Sequence, residues 1–294
     1  MTEPAGRGRP GDDGRIQVTE RNPPPDGKPP APIVITKEHK LFVEFADAVR
    51  AERYVGLCFG APGVGKTQSA RDYSNWGHLS GHLDGSRPAG ANGDVPAGQL
   101  LAARSIMYTA KVHNTPQHLD KEISYLCDKL GWNVELMLNP GRGVDQNGRL
   151  NTSHAELLLV DEADRLRVGA LEQLRDHHDR TGIGLILIGM PGIEKRLARY
   201  PQLYSRVGFV HHYKPMSPDE QAHVLARSWP HLNLADDYTT KEAVAAITRI
   251  ISGNFRFTVR LIGQIERVMK INNKTIVTKE VVEAARKNLV IVPT

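Results

Sequence analysis

The chain has 294 residues, 40% of them hydrophobic and 24% charged, with a formal net charge of +5 and a pI near 9.2. That apolar content suffices for a packed core, either one large domain or a core domain with a small companion. No apolar run approaches a membrane span and no hydrophobic leader opens the sequence, so a cytoplasmic protein is expected. The basic excess is mostly C-terminal: residues 214–294 carry 12 basic against 8 acidic side chains. This is compatible with nucleic acid binding without establishing it.

Residues 1–32 hold eight prolines and five glycines and almost no apolar side chains. Such a stretch buries too little surface to offset its ordering entropy, so a disordered tail is expected. Ile33-Val34-Ile35 leads into a helix expected over Lys37–Arg50, with Leu41, Phe42, Phe45 and Val49 at helical spacing. Val55–Phe59 reads as a short buried strand feeding Gly60-Ala61-Pro62-Gly63-Val64-Gly65-Lys66-Thr67, and Gln68 onward reads as a helix. Strand, glycine-rich loop and helix in that order form the setting of a phosphate-binding loop. Gly60, Gly63 and Gly65 let the backbone curl so that successive N–H groups point at a phosphate, and the helix N-terminus adds partial positive charge. Lys66 can reach the β- and γ-phosphates of ATP, and the Thr67 hydroxyl can ligate Mg2+.

Gly77–Gly98, rich in Gly, Pro, Ser and Asn, is expected as a surface loop, and Ser105–Thr109 as a second strand. A helix start follows at Thr115, with Leu119, Ile123, Leu126 and Leu130 on one apolar face, and Asn139–Ser153 is a second irregular stretch. Leu157–Val160 is an unbroken apolar run ending in Asp161 and Glu162. That is how a fully buried parallel strand delivers acids to its C-terminal edge. A helix over Val168–Asp179, a strand over Gly184–Gly189, a helix over Ile193–Arg199 and a strand near Gly208–Tyr213 follow. The alternation argues for a three-layer α/β sandwich on a parallel sheet.

From Ser217 only helices are expected, over Pro218–Ser228, Thr240–Ile251, Phe255–Ile271 and Lys279–Asn288, with Ser217 and Thr278 as N-caps. The expected division is a tail over 1–32, an α/β nucleotide-binding domain over 33–214 and a helical domain over 215–294. Cys58 and Cys127 lack partners at metal-ligand spacing and read as buried reduced thiols. His177-His178 reads as ordinary helix surface.

Asp161 at a strand end can hold Mg2+ through water, and Glu162 beside it can polarise the attacking water. The acid pair gains meaning from its place behind four apolar residues and about 95 residues beyond the glycine-rich loop.

These stretches, GAPGVGKT (60–67), LLLVDEADRL (157–166), GLILIGMPGIEKRL (184–197) and YPQLYSRVGFV (200–210), resemble the AAA+ ATPases over about residues 33–290. Within that family the likeness is greatest to the transposition regulators TniB, TnsC and MuB. The resemblance implies a P-loop AAA+ core followed by a helical lid, with ATP and Mg2+ as ligands and ATP hydrolysis as the reaction. It implies homo-oligomers, as ring or filament, on duplex DNA, with a DDE transposase and a target-selection protein as partners. It also implies that Arg206 is an arginine finger reaching the γ-phosphate of a neighbouring subunit, with Arg196 and Arg199 as rivals. Gly253-Asn254-Phe255-Arg256 matches the sensor-2 pattern, in which Arg256 would couple the lid to the γ-phosphate. One match fails: many relatives carry a polar side chain after the fourth strand, where this chain has Ile188-Gly189-Met190.

On the helix over Phe255–Ile271, the spacing puts Arg256, Arg260, Arg267, Lys270 and Lys274 within about 80° of one another, with Leu261, Ile262, Ile265, Val268 and Met269 opposite. The stripe is either a solvated face or a phosphate-facing one, and Lys111, Lys121, Lys129 and Arg142 are rival DNA contacts on the α/β domain. Three readings stay open. The leading one is a DNA-bound transposition regulator; the others are a helicase-loader-like ATPase of the IstB or DnaC kind and a nucleotide-gated adaptor with little turnover.

Overall fold

A computed structural model of the chain describes residues 34–83, 104–138, 154–232, 234, 238–287 and 289. The tail expected over 1–32, the irregular stretch 139–153 with Arg142, and most of the expected loop over Gly77–Gly98 lie outside the described residues.

Five short strands, β1 (Val55–Phe59), β2 (Ser105–Thr109), β3 (Leu157–Asp161), β4 (Gly184–Gly189) and β5 (Val207–His212), form one parallel sheet in the order β2-β3-β4-β1-β5. Their apolar runs fit this arrangement, because a parallel sheet is covered on both faces. Alternate side chains of each strand feed two cores. Leu57, Ile106, Leu158 and Leu185 pack toward α4 (Pro116–Leu138) and α5 (Val168–Thr181), through Leu119, Ile123, Leu171 and Leu174. Cys58, Met107, Leu159 and Ile186 pack toward α1 (Lys37–Glu52) and α2 (Lys66–Tyr73), through Phe42, Phe45, Val49 and Ala70. The result is a three-layer α/β fold. The edge strand β5 instead alternates half-buried and exposed positions.

Two short helices, α6 (Ile193–Leu197) and α7 (Pro201–Tyr204), join β4 to β5. Beyond β5 come α8 (Pro218–Ser228), α9 (Tyr238–Ile251), α10 (Phe255–Ile271) and α11 (Lys279–Lys287), which share their own core of Leu225, Ile247, Leu261, Ile265 and Val282. The Ser217 hydroxyl accepts the Glu220 N–H at 3.3 Å and opens α8. No helix among the described residues is long and apolar enough to cross a membrane. Cys58 and Cys127 are free and buried, and burial pushes both thiols up to about 12.

Several expectations need correction. The first part of the expected loop is a helix, α3 (Trp76–Leu83). Its glycines conceal an apolar face, for Leu79 and Leu83 are fully buried and Trp76 packs beside them. The helix expected over Ile193–Arg199 ends at Leu197 and is followed by α7. Lys274 lies past the end of α10, so it leaves the helical stripe. His177 and His178 are buried rather than surface residues, because the two-residue turn to β4 folds the last turn of α5 onto the sheet. His178 Nδ1 bonds the Ile183 carbonyl at 2.7 Å, and burial lowers the His177 pKa.

Gly56 marks the closest approach of α1 to the sheet: an added Cβ would stand 2.5 Å from Val49 Cγ2 and 2.8 Å from Phe45 Cζ. Gly56→Ala is therefore expected to cost about 1–3 kcal/mol by overpacking. In urea denaturation the midpoint should fall at unchanged slope; an unchanged midpoint would mean that α1 shifts outward freely.

Candidate nucleotide site

The glycine-rich loop leaves β1 at the carboxyl end of the sheet, the side on which open α/β sheets bind ligands. Its shape is set by close backbone contacts. The Tyr213 N–H donates to the Phe59 carbonyl at 2.8 Å, and a Cβ on Gly60 would stand 2.2 Å from the Tyr213 carbonyl oxygen. Gly63 and Gly65 have φ of 78° and 122°, a region that favours glycine. Gly65 caps α2 without a side-chain bond, which leaves first-turn N–H groups to face an anion, and Thr67 and Gln68 are exposed beside them.

Lys66 is only 8% exposed, and its ammonium donates to the carbonyls of Gly60 at 2.7 Å and Ala61 at 2.8 Å. Burial lowers its pKa, against an opposing influence of Cys58, Asp161, Asp164 and Glu162. A cradle that added Cβ atoms would fill, around a lysine whose carbonyl partners phosphate oxygens can replace, fits a nucleotide phosphate.

Asp161 ends β3 one strand beyond β4, is 5% exposed, and accepts the Glu162 N–H at 2.9 Å. Glu162 takes φ of 56°, uncommon for a residue with a Cβ, and its carboxylate is half-exposed. It lies 3.7 Å from Arg165, which also donates to the Ala110 carbonyl at the end of β2 at 3.0 Å. Among the described residues no group of three or more His, Cys, Asp or Glu side chains could hold a metal. Thr67 and Asp161 would therefore hold Mg2+ jointly with phosphate oxygens and water, the usual manner for this cation.

Residues not singled out from sequence complete the site. The Asp164 carboxylate accepts the Met190 N–H at the tip of β4 through both oxygens, at 3.0 Å each. Asn254 caps α10 by accepting the Phe257 N–H at 3.2 Å, while its amide donates to the Pro62 carbonyl at 2.9 Å. Behind α2, Ser69 Oγ is hydrogen-bonded to the Tyr213 hydroxyl at 2.8 Å and to His39 Nδ1 at 2.9 Å. Asn254 and Asp164 fall within the stretches 253–256 and 157–166 that carry the resemblance, but no pattern in the sequence assigned either a role of its own.

Arg256 stands beside the loop through its backbone, whose N–H lies 3.4 Å from the Gly63 carbonyl. Its side chain is exposed with no partner among the described residues. Arg206 is elsewhere: it directly precedes β5, and its carbonyl accepts the N–H of Val55, the first residue of β1. The length of β1, about 16 Å, thus separates it from the loop of its own chain. It pairs with Asp179 through both oxygens, at 2.5 and 2.7 Å, and lowers the Asp179 pKa by that hydrogen bonding. Arg196 donates to the Asp164 and Leu166 carbonyls, whereas Arg199 is exposed without a partner among the described residues.

The candidate DNA contacts are scattered. Lys111 is paired with Glu122, and Lys129 lies over the Tyr125 ring at 5.5 Å. Lys121, Arg260, Arg267 and Lys270 are exposed with no partner among the described residues, while Glu266 in the lid stripe is paired with His231 at 2.7 Å.

Residues 49–197 match the family model described as an AAA domain. A "Potential ATP-binding protein" of Staphylococcus aureus is 39% identical over 264 residues, which cover 88% of this chain and 97% of that protein. The "Mu-like prophage FluMu DNA transposition protein B" of Haemophilus influenzae is 34% identical over 105 residues, 33% of this chain and 35% of that protein. Among solved structures, the ORC2 protein of Aeropyrum pernix aligns with a TM-score of 0.55 at 15% identity, covering 92% of this chain and 72% of that one. The RuvB Holliday junction branch migration motor of Thermotoga maritima aligns with a TM-score of 0.50 at 12% identity, covering 86% and 69%. At such identities these two speak for the fold alone.

Lys66→Ala should abolish nucleotide binding, since it removes the positive side chain from the cradle; unchanged ATP affinity by calorimetry would relocate the site. Asn254→Ala should lose about 1 kcal/mol of stability with the N-cap and about fivefold in ATP affinity with the Pro62 contact. Asn254→Asp keeps a capping oxygen but not the donor, so it should fold normally and still bind ATP less well. Equal ATP affinity in all three proteins would show that the Pro62 contact contributes nothing to binding.

Proposed function

From the premise that the chain belongs to the AAA family of P-loop ATPases, we propose that it is an ATP-dependent regulator of DNA transposition that assembles on duplex DNA and engages a DDE transposase. The observation carrying this reading is the partial match to the prophage transposition protein B. The fold likeness to an ORC1 protein solved in complex with DNA, with a TM-score of 0.54, is consistent with it. The division into a tail over 1–32, a nucleotide-binding domain over 33–214 and a lid over 215–294 belongs to the same reading.

In this reading Gly60–Gln68 surround the phosphates and, Pro62 apart, offer them backbone N–H groups, and Lys66 exchanges its two carbonyls for phosphate oxygens. Thr67 and Asp161 would hold Mg2+, which when bound would supply positive charge against the phosphates. Glu162 accepts the proton of the attacking water. Arg256 reports the phosphate to α10, and Asn254 keeps that helix at the loop. Arg206 faces outward to a neighbour's site, and to act there it must leave Asp179. A head-to-tail interface of this kind gives a ring or a filament, depending on closure.

A second reading, a nucleotide-gated adaptor with little turnover, draws support from Met190 at the tip of β4. Measuring ATPase with and without duplex separates them: stimulation by duplex supports the regulator, and a flat low rate the adaptor. Dependence on single strands or on a helicase would favour a helicase loader instead.

Arg206→Ala should lose hydrolysis while each subunit still binds ATP. Mixed with Lys66→Ala subunits it should regain activity, because one variant keeps the cradle and the other the finger. Absence of recovery at every ratio, with both variants assembling, would rule out a finger acting between subunits. Duplex affinity should be indifferent to sequence, fall steeply with salt and rise with ATP, as backbone contacts from many subunits require. Arg260→Glu with Arg267→Glu tests the lid stripe, and Lys111→Glu with Lys121→Glu the α/β face. A salt slope near zero together with indifference to ATP would remove the DNA reading.

A further inference from the structure

We infer that Asp164 supplies the polar group missing from the tip of β4, and that it is a positioning residue for ATP hydrolysis acting through the water that Glu162 activates. The inference rests on the proposed role of Glu162 in hydrolysis and stands whether or not the chain acts on DNA.

Asp164 sits on the 3-10 turn Ala163–Arg165, directly after Glu162. The turn is closed by Arg165 N–H to the Glu162 carbonyl at 3.0 Å and by Leu166 N–H to the Ala163 carbonyl at 3.1 Å. Arg196 fixes it from outside by donating to the Asp164 carbonyl at 2.7 Å. One rigid turn therefore carries both carboxylates. The Asp164 side chain crosses to β4, where both oxygens reach the Met190 N–H. Gly189 makes this approach possible, since a Cβ there would stand 2.8 Å from Asp164 Oδ1. The strand thus ends in a glycine that admits a carboxylate from its neighbour.

The carboxylate also belongs to the nucleotide site electrostatically, for its charge acts on Lys66 together with those of Asp161 and Glu162. An ionised carboxylate offers about four acceptor directions, and a single N–H shared between its oxygens leaves about two for water. Asp164 is only half-buried, so water reaches it. Water bonded to both Glu162 and Asp164 would be fixed in direction as well as place, which is how a positioned acceptor lowers the entropic part of a barrier.

Asp164→Asn tests this directly, because the amide keeps the size and one oxygen for the Met190 N–H but loses the charge and an acceptor. The full-length variant should keep its Tm and a KM for ATP within about twofold, while kcat falls about tenfold or more. In a Glu162→Gln background the same change should slow hydrolysis far less, since both residues act on one water. Gly189→Ala approaches from the other side: its Cβ would crowd both Ile193 Cδ1 and the Asp164 carboxylate, so with Tm preserved it should lower kcat at near-constant KM. Parental kcat in Asp164→Asn, with only Tm reduced in Asp164→Ala, would make Asp164 a clamp on β4 and overturn the proposal. A rise in KM at unchanged kcat, or full additivity with Glu162→Gln, would overturn it equally.

Discussion

The nucleotide site depends on one close approach, that of the Tyr213 backbone to the start of the phosphate loop. The Tyr213 carbonyl lies so near Gly60 that no side chain fits between them, and its N–H ties β5 to the last residue of β1. From that point the chain runs straight to Met216, whose carbonyl crowds Gly253, and Gly253 precedes the Asn254 that bonds Pro62. The loop, the end of β5 and the first turn of α10 therefore share one set of contacts. A glycine stands on one side of each crowded pair, so the geometry is written into residue choice. Any rotation of the C-terminal helices relative to the sheet must break the Asn254–Pro62 bond or drag the loop with it, which makes helix position and loop shape two readings of one state.

What was legible in the sequence follows from how local its cause is. Buried parallel strands appear as uninterrupted apolar runs, so the sheet and the acids at the end of β3 could be read directly. The loop was legible because its glycines, lysine and threonine keep fixed spacing. The helix α3 was missed because Gly77 and Gly81 lower propensity while Leu79 and Leu83 determine the outcome through burial, a tertiary effect. His177 and His178 were misjudged for the same reason. Asp164 was out of reach because its partner is a backbone N–H 26 residues away, just past the end of β4.

Charge was the least legible property. Counting basic residues treats Lys111 and Arg260 alike, yet the first is neutralised by Glu122 and the second is free among the described residues. Arg206 shows the converse: its guanidinium is held by both oxygens of Asp179 and by the Gln202 carbonyl, a bidentate geometry stronger than a single surface ion pair. In the proposed finger role this guanidinium would exchange those partners for a neighbour's phosphate, and until then they hold it in a defined place.

The two carbonyls on Lys66 carry a thermodynamic consequence of their own. A phosphate arriving in this cradle displaces contacts already made, so the number of hydrogen bonds to the ammonium hardly changes. The gain is that of replacing carbonyl dipoles by full negative charges in a partly desolvated place, where Coulomb attraction is weakly screened. In the proposed reading a departing ligand strands no buried cation, because the two carbonyls take the lysine back.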